Sequence, residues 1–230
     1  MKCALALMAR TPELHATKTR LQSELGARGA LRAHVRLVED TLMRLRGLSR
    51  PEVLSGKEGL SGKEALSGKE ALSDKKGLSS IDVSIWVTQV NAQTRAWADY
   101  GNWSLHVQPD GDLGQRMHGI LSQLLKSGAD RACVIGTDCP EIDARYIEAA
   151  CAALEWADLV IGPAEDGGYG LIGLKAPAPE LFTDIPWGSD RVLARTIERA
   201  EEAALTYSVQ PVIWDVDTPD DWRRYQQWSD

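Results

Sequence analysis

No apolar run in this chain approaches the ~18 residues that a membrane-crossing helix requires, so no membrane span is expected. The opening MKCALALMAR is too short, and too soon followed by charge, to read as a secretory signal. It reads as a first buried strand. Cysteine is scarce. The four residues Cys3, Cys133, Cys139 and Cys151 form no CxxC pair, and no His/Cys cluster has zinc spacing. Cys3, Cys133 and Cys151 sit in apolar runs or on a helix face, which suits small core residues in a reducing compartment. Disulfide staples are not expected, because a chain of 230 residues buries about 70% of the surface its unfolded form exposes. Positive charge is in deficit, with 26 Lys and Arg against 33 Asp and Glu. A net charge of -7 lacks the basic face of a nucleic-acid binder and suits an ordinary cytoplasmic protein. Neither GxGxxG nor a Walker A loop occurs, which sets aside a dinucleotide fold and a P-loop kinase. The four histidines (His15, His34, His106, His118) pair with no Ser or Cys nucleophile, so triad hydrolysis is not expected.

What the chain does contain is alternation. Lys2 to Ala9, Ile81 to Gln89, Trp103 to Gln108, Ala132 to Gly136, Asp158 to Pro163, Tyr169 to Leu174 and Val209 to Val216 have strand character. Between them lie helical stripes, such as Leu31, His34, Val35, Val38, Leu42 and Leu45. Asp143 is placed to cap one helix and Ser189 another. This pattern predicts an α/β domain with a doubly wound, mostly parallel sheet and a mixed region around DGGYG. The whole of residues 1–230 reads as a single domain. Residues 54–80 cycle LSGKEG, LSGKEA, LSGKEA, LSDKKG. One small apolar residue per hexapeptide cannot offset ordering entropy, so this tract reads as a flexible or weakly helical insertion in a surface connection.

Two acidic strand ends carry the chemistry. ACVIG runs into Thr137-Asp138-Cys139-Pro140, and DLVIGP is followed by Glu165-Asp166-Gly167-Gly168-Tyr169. In open α/β sheets, ligands sit beyond the carboxyl ends of strands. Asp138, with Asp217 at the end of the last strand, offers the hard oxygen ligands that Mg²⁺ or Mn²⁺ prefers. The loop after the first strand carries Arg10, Lys18 and Arg20, cations suited to a diphosphate. Asp166, with Glu165 beside it, is the candidate to orient or deprotonate an acceptor; a plain hairpin turn is the blander reading of the same Asp-Gly. Gly167 and Gly168 permit close backbone approach, and Tyr169, Trp187 and Ser189 could wall the acceptor or sugar. Cys139 neighbours Asp138, although a small core residue is its plainer reading.

Taken together, several segments resemble a bacterial transferase family of the nucleotide-diphospho-sugar transferase (GT-A) fold. This family was long catalogued as a domain of unknown function and is often labelled a glycosyltransferase of arsenosugar or radical-SAM gene neighbourhoods. The matching segments are Lys18 to Leu21, Asp112-Leu113-Gly114-Gln115-Arg116-Met117, Gly136 to Pro140, Gly162 to Gly173, Trp187-Gly188-Ser189, and Asp215 to Asp221. The resemblance covers essentially the chain outside 54–80. It implies a nucleotide-sugar donor, a small-molecule acceptor and a divalent metal. The chain departs from the family at His15, where a glycine is usual, and in its repeat insertion. Three functions remain in view. The first is metal-dependent glycosyl transfer from a nucleotide-diphospho-sugar. The second is nucleotidyl transfer from an NTP to a phosphorylated small molecule, for which Arg116 would bind the acceptor phosphate; relatives of the fold guanylylate phospholactate. The third is a non-enzymatic nucleotide-binding or interaction protein with the repeat as its working part.

Overall fold

The computed structural model describes residues 1–48 and 81–229. The repeat insertion expected at 54–80 lies outside the described residues. Strands β1 (Cys3–Ala9), β2 (Ile81–Val87), β3 (Ser104–Val107), β4 (Arg131–Gly136), β5 (Leu159–Pro163), β6 (Tyr169–Leu174) and β7 (Tyr207–Val209) form one sheet in the order β3-β2-β1-β4-β6-β5-β7. All pairings are parallel except those of β6, which runs antiparallel to both β4 and β5. The expected mostly parallel sheet with a mixed region is therefore present. β1 and β4 are neighbours, yet the chain leaves β1 towards β2 on one side and β4 towards β5 and β6 on the other. That reversal opens a crevice at the carboxyl ends of β1 and β4, the usual ligand position in such sheets.

Both faces of the sheet are covered. Helices α1 (Gln22–Leu45), α2 (Ala92–Gly101) and α4 (Ala144–Ala153) pack over a core built on Leu5, Leu7, Ile85, Ile135 and Val160. On the opposite face α3 (Leu113–Lys126) and α5 (Val192–Glu202) cover Ala6, Trp86, Val134, Ile161 and Ile172. Residues alternating along one strand thus feed opposite cores. A third cluster joins Leu21, Ala33 and Leu37 to Trp214, Trp222 and Tyr225, seating α6 (Pro219–Ser229) against α1. α2 and α3 each begin in a reciprocal capping box, Asn91 with Thr94 and Asp112 with Gln115. Asp143 caps α4 as expected, accepting from the Tyr146 N–H.

Three local expectations need correction. Cys3 and Cys151 are joined as a disulfide between β1 and α4, whereas both were expected as free core thiols; Cys133 and Cys139 are free and buried. The expected last strand over 209–216 is not continuous. β7 stops at Val209, and only Ile213 pairs again, bridging Ala164. Pro211 lies between them, and it has no N–H to donate to a ladder. Ser189 does not cap α5. Its hydroxyl donates to the Pro186 carbonyl and accepts from the Arg191 N–H, and Arg191 itself is the residue before the first helical turn.

Candidate active site

A cleft of about 550 Å³ opens at the β1/β4 crevice. Ten predicted site residues line it: Arg10, Lys18, Arg116, Asp138, Asp166, Gly168, Tyr169, Trp187, Ser189 and Asp217. Its floor is an ion cluster. Lys18 donates to Asp138 at 2.9 Å and lies 3.8 Å from Asp217, with its own side chain only 10% exposed. Burial alone would lower the Lys18 ammonium, but Asp138, Asp217 and Asp215 outweigh it and its pKa is raised. Burial would likewise raise the Asp138 carboxyl, yet the Lys18 charge and hydrogen bond hold it below the usual carboxylate range. Each partner keeps the other ionised.

The chain arrives at this floor by defined routes. β4 ends at Gly136 and delivers Asp138 directly. The Val216 N–H donates to the Asp138 carbonyl at 2.9 Å, pinning the C-terminal segment across β4 so that Asp215 and Asp217 flank Asp138. The first loop is held from several sides. The Arg10 carbonyl contacts His34 Nε2 at 2.8 Å, the Arg10 guanidinium donates to the Ala16 carbonyl, and Thr11 bonds the Gln89 carbonyl. Lys18 then turns through a left-handed conformation, φ 45°, which aims its stem inward. His15 also has positive φ, 67°, so it adopts the backbone shape that the family's glycine would.

The β5–β6 turn supplies the opposite wall. Asp166 accepts from the Gly168 N–H at 2.8 Å, an Asx turn that leaves its second oxygen for a ligand. Gly167 has φ 84°, and an added Cβ would collide with the Asp190 backbone, so this turn docks against the approach to α5. The Gly167 carbonyl in turn receives the Leu193 N–H at 2.9 Å. Trp187 lies edge-on to Tyr169, centroids 6.4 Å apart, and packs where only a Cβ-free Gly114 leaves room at the start of α3. Arg116 projects from that same helix end, its Nε donating to the Gly111 carbonyl.

Three predicted residues fall outside the lining. Glu165 does not face the cleft; its carboxylate is gripped by both terminal nitrogens of Arg224, at 2.7 and 3.0 Å, and Arg224 stacks 4.2 Å from the Trp214 ring centroid. This does not favour its expected catalytic role, since within the β5–β6 turn the Arg224 pair holds the Glu165 carboxylate away from the cleft. Gly167 acts through its backbone shape, and Arg20 sits exposed at the rim, paired with Asp217. Cys139 lies buried beneath the floor, where burial and Asp138 push its thiol well up, which suits packing rather than nucleophilic chemistry.

Several polar residues of the lining were assigned no role from the sequence. Asp215 is the main one. Burial first, then Asp138 and Asp166, pushes its carboxyl up to about 6. Gln108 is fixed by donating to both the Ala9 and Trp86 carbonyls, so its own carbonyl oxygen is the atom left for a ligand. His34 and Thr88 also line the cleft around the first loop. His34 stood in the helical stripe and gave only a packing signal.

The architecture places the chain among nucleotide-handling transferase folds. A candidate nucleotide-diphospho-sugar transferase from Desulfovibrio desulfuricans G20 superposes with a TM-score of 0.73 at 26% identity, covering 94% of this chain and 82% of that one. A cytidylyltransferase from Leptospira borgpetersenii shares the fold at TM-score 0.56 and 14% identity, over 98% and 85% of the two chains. Glucosyl-3-phosphoglycerate synthase from Mycobacterium tuberculosis, solved with Mn²⁺, UDP and glucosyl-3-phosphoglycerate, does so at 0.51 and 12%, over 96% and 74%. No curated protein matches the chain significantly. Residues 72–189, just over half of the sequence, match the profile of a family described as an uncharacterized protein conserved in bacteria (DUF2064), and the chain belongs to that family.

Proposed function

We propose that the chain is a metal-dependent glycosyltransferase that draws on a nucleotide-diphospho-sugar donor and a small-molecule acceptor. The observation that carries this reading is the floor of the cleft, where the Lys18 ammonium lies between the carboxylates of Asp138 and Asp217 at a strand-end crevice. A fixed cation beside converging carboxylates is what a phosphate-rich donor with an accompanying dication requires. The donor set fits Mg²⁺ or Mn²⁺. It is all carboxylate oxygen, and burial, with the charges of Asp138 and Asp166 behind it, lets Asp215 hold its proton up to about pH 6, a cost that a dication would relieve.

Asp138 and Asp217 are the proposed metal ligands, with Asp215 beside them. Lys18 and Arg10 face the donor diphosphate, and Arg20 adds charge at the rim. A bound dication supplies Lewis-acid stabilisation of the departing nucleoside diphosphate. Asp166 is positioned to accept the acceptor's hydroxyl proton through its free oxygen. Trp187 and Tyr169 wall the sugar, with Gly168 and Ser189 offering backbone and hydroxyl contacts. The assay is NDP release from a panel of NDP-sugars with Mn²⁺ and mixed acceptors. Release that stops in Asp138→Asn supports the reading; release that is unchanged in that variant and in EDTA refutes it.

One observation favours a second reading, nucleotidyl transfer. Arg116 lines the cleft at the start of α3 with its terminal nitrogens uncommitted to any hydrogen bond among the described residues, as an acceptor-phosphate site would need. In that case pyrophosphate, rather than an NDP, is released, and Arg116→Ala raises KM for the phosphorylated acceptor while leaving NTP binding intact.

A further inference from the structure

Three of the cysteines converge outside the lining of the cleft. Cys3 opens β1, Cys133 lies within β4, and Cys151 is near the end of α4; their three Sγ atoms all lie within 4.8 Å of one another. β1 and β4 are paired with Cys3 opposite Arg131 and Leu5 opposite Cys133. Cys3 and Cys133 therefore share a sheet face. α4 lays Cys151 over that face within the same core. Arg131 stands beside the trio, only 4% exposed. Its guanidinium donates to the Cys151 carbonyl and to Met1 Sδ, and pairs with Glu155 at 3.3 Å, while its Nε has no hydrogen-bond partner among the described residues.

We propose that, once the Cys3–Cys151 disulfide is reduced, Cys3, Cys133 and Cys151 form a binding site for a single soft, thiophilic cation. Metal–sulfur bonds of about 2.3 Å place three thiolates around one ion roughly 4 Å apart. On reduction the Cys3 and Cys151 sulfurs separate from bonding distance towards that spacing, and the Cys133 sulfur already lies within 4.8 Å of both. All three donors are sulfur, which selects soft ions such as Cd²⁺ or Zn²⁺ over Mg²⁺ and Mn²⁺. The carboxylates of the cleft have the opposite preference, so the two ends of the sheet sort metals by ligand type. Binding a dication displaces three thiol protons and leaves a unit carrying one negative charge, and the Arg131 guanidinium lies beside it to balance that charge. Burial pushes the Cys133 thiol up to about 12, with Arg131 acting in the opposite sense. The ion itself must therefore displace that proton, as metals do at thiol sites. The disulfide consumes two of the three ligands. Two electrons from a thiol or phosphine reductant regenerate two thiols and open the site, making it redox-gated. This inference is independent of the proposed transferase activity.

The test uses the full-length protein, reduced under anaerobic conditions, with Cd²⁺ as the probe and the ultraviolet thiolate-to-cadmium charge-transfer band as the readout. The expected result is a band saturating at one equivalent in the reduced wild type and in Cys139→Ser, and no band in the oxidised protein. Loss of a supporting neighbour alone costs a metal site about 10- to 100-fold, so Cys133→Ser should weaken Cd²⁺ at least about tenfold. If Cys133→Ser fails to fold by circular dichroism, Cys3→Ser at the strand's first residue carries the same expectation. No band in the reduced wild type, or wild-type affinity in a folded ligand variant, overturns the proposal.

Discussion

Lys18 and Asp138 show how much of the site rests on single side chains. Asp138 titrates below its ordinary range in the fold, so its pairing adds stability above about pH 4 that is lost as pH falls. Lys18 titrates above its ordinary range, so its share is present below about pH 10 and lost at higher pH. Lys18→Met should cost about 1–3 kcal/mol at pH 7, the low end because Asp138 is partly exposed, and progressively less as pH falls towards 3 and below. Urea melts at the two pH values check this; equal losses at both would contradict it. Asp215 runs the other way. Its raised pKa means the folded state holds a proton that the unfolded state gives up, so it erodes stability as pH rises from about 4 to about 6. Asp215→Asn should raise the melting temperature at pH 7 by ~2–4 °C, about 1 kcal/mol after discounting for partial exposure. It should also weaken Mn²⁺ binding measured by calorimetry; an unchanged or lower melting temperature would refute the reading. Asp138 and Lys18 were legible in the sequence because a strand end announces each. Asp215 stood beside Asp217 at the end of the last segment but was given no role, because its burial against Asp138 and Asp166 arises only in the fold. Glu165 was misread for a similar reason, as its partner Arg224 lies 59 residues away.

The β5–β6 turn is the element on which the acceptor side depends. Gly167 needs both a positive φ and the space that the Asp190 backbone occupies, so Gly167→Ala should destabilise by about 2 kcal/mol or more. It should also shift Asp166 and weaken ligand binding, whereas Gly128→Ala, with positive φ but open surroundings, should cost only its backbone strain, about 1 kcal/mol. Thermal melts of the two variants decide; equal losses would mean that the Asp190 contact does not matter. Elements of this kind were largely readable. Alternating apolar runs gave six of the strands, and Asn91, Asp112 and Asp143 begin helices where a short polar side chain can cap. The C-terminal strand was overcalled because its apolar residues masked the effect of Pro211. The start of α5 was misplaced because Ser189 serves the preceding turn.

For the molecule as a whole, β-α alternation sufficed to predict a doubly wound sheet, since parallel strands need helical crossovers to connect them. The insertion of β6 between β4 and β5 was signalled only by the DGGYG turn. The Cys3–Cys151 link was invisible, because nothing local marks two residues 148 positions apart as neighbours. If residues 54–80 are a connection rather than a working part, replacing them with a short Gly/Ser linker should preserve folding and ligand binding. Loss of nucleotide binding in a folded deletion variant would favour an interaction role for the repeat. Asp138 and its neighbours are proposed to form a metal-dependent nucleotide site. The most direct test is a thermal-shift panel of NDP-sugars, NDPs and NTPs with Mn²⁺, each repeated in EDTA, on the wild type and Asp138→Asn. A ligand that binds only the folded state stabilises by about 2.7 kcal/mol at one hundred times its Kd, which this assay resolves. The expected result is stabilisation of the wild type by one NDP-sugar and its NDP, abolished by EDTA and by Asp138→Asn. Equal shifts in both proteins with and without EDTA, or no shift from any nucleotide, would contradict it.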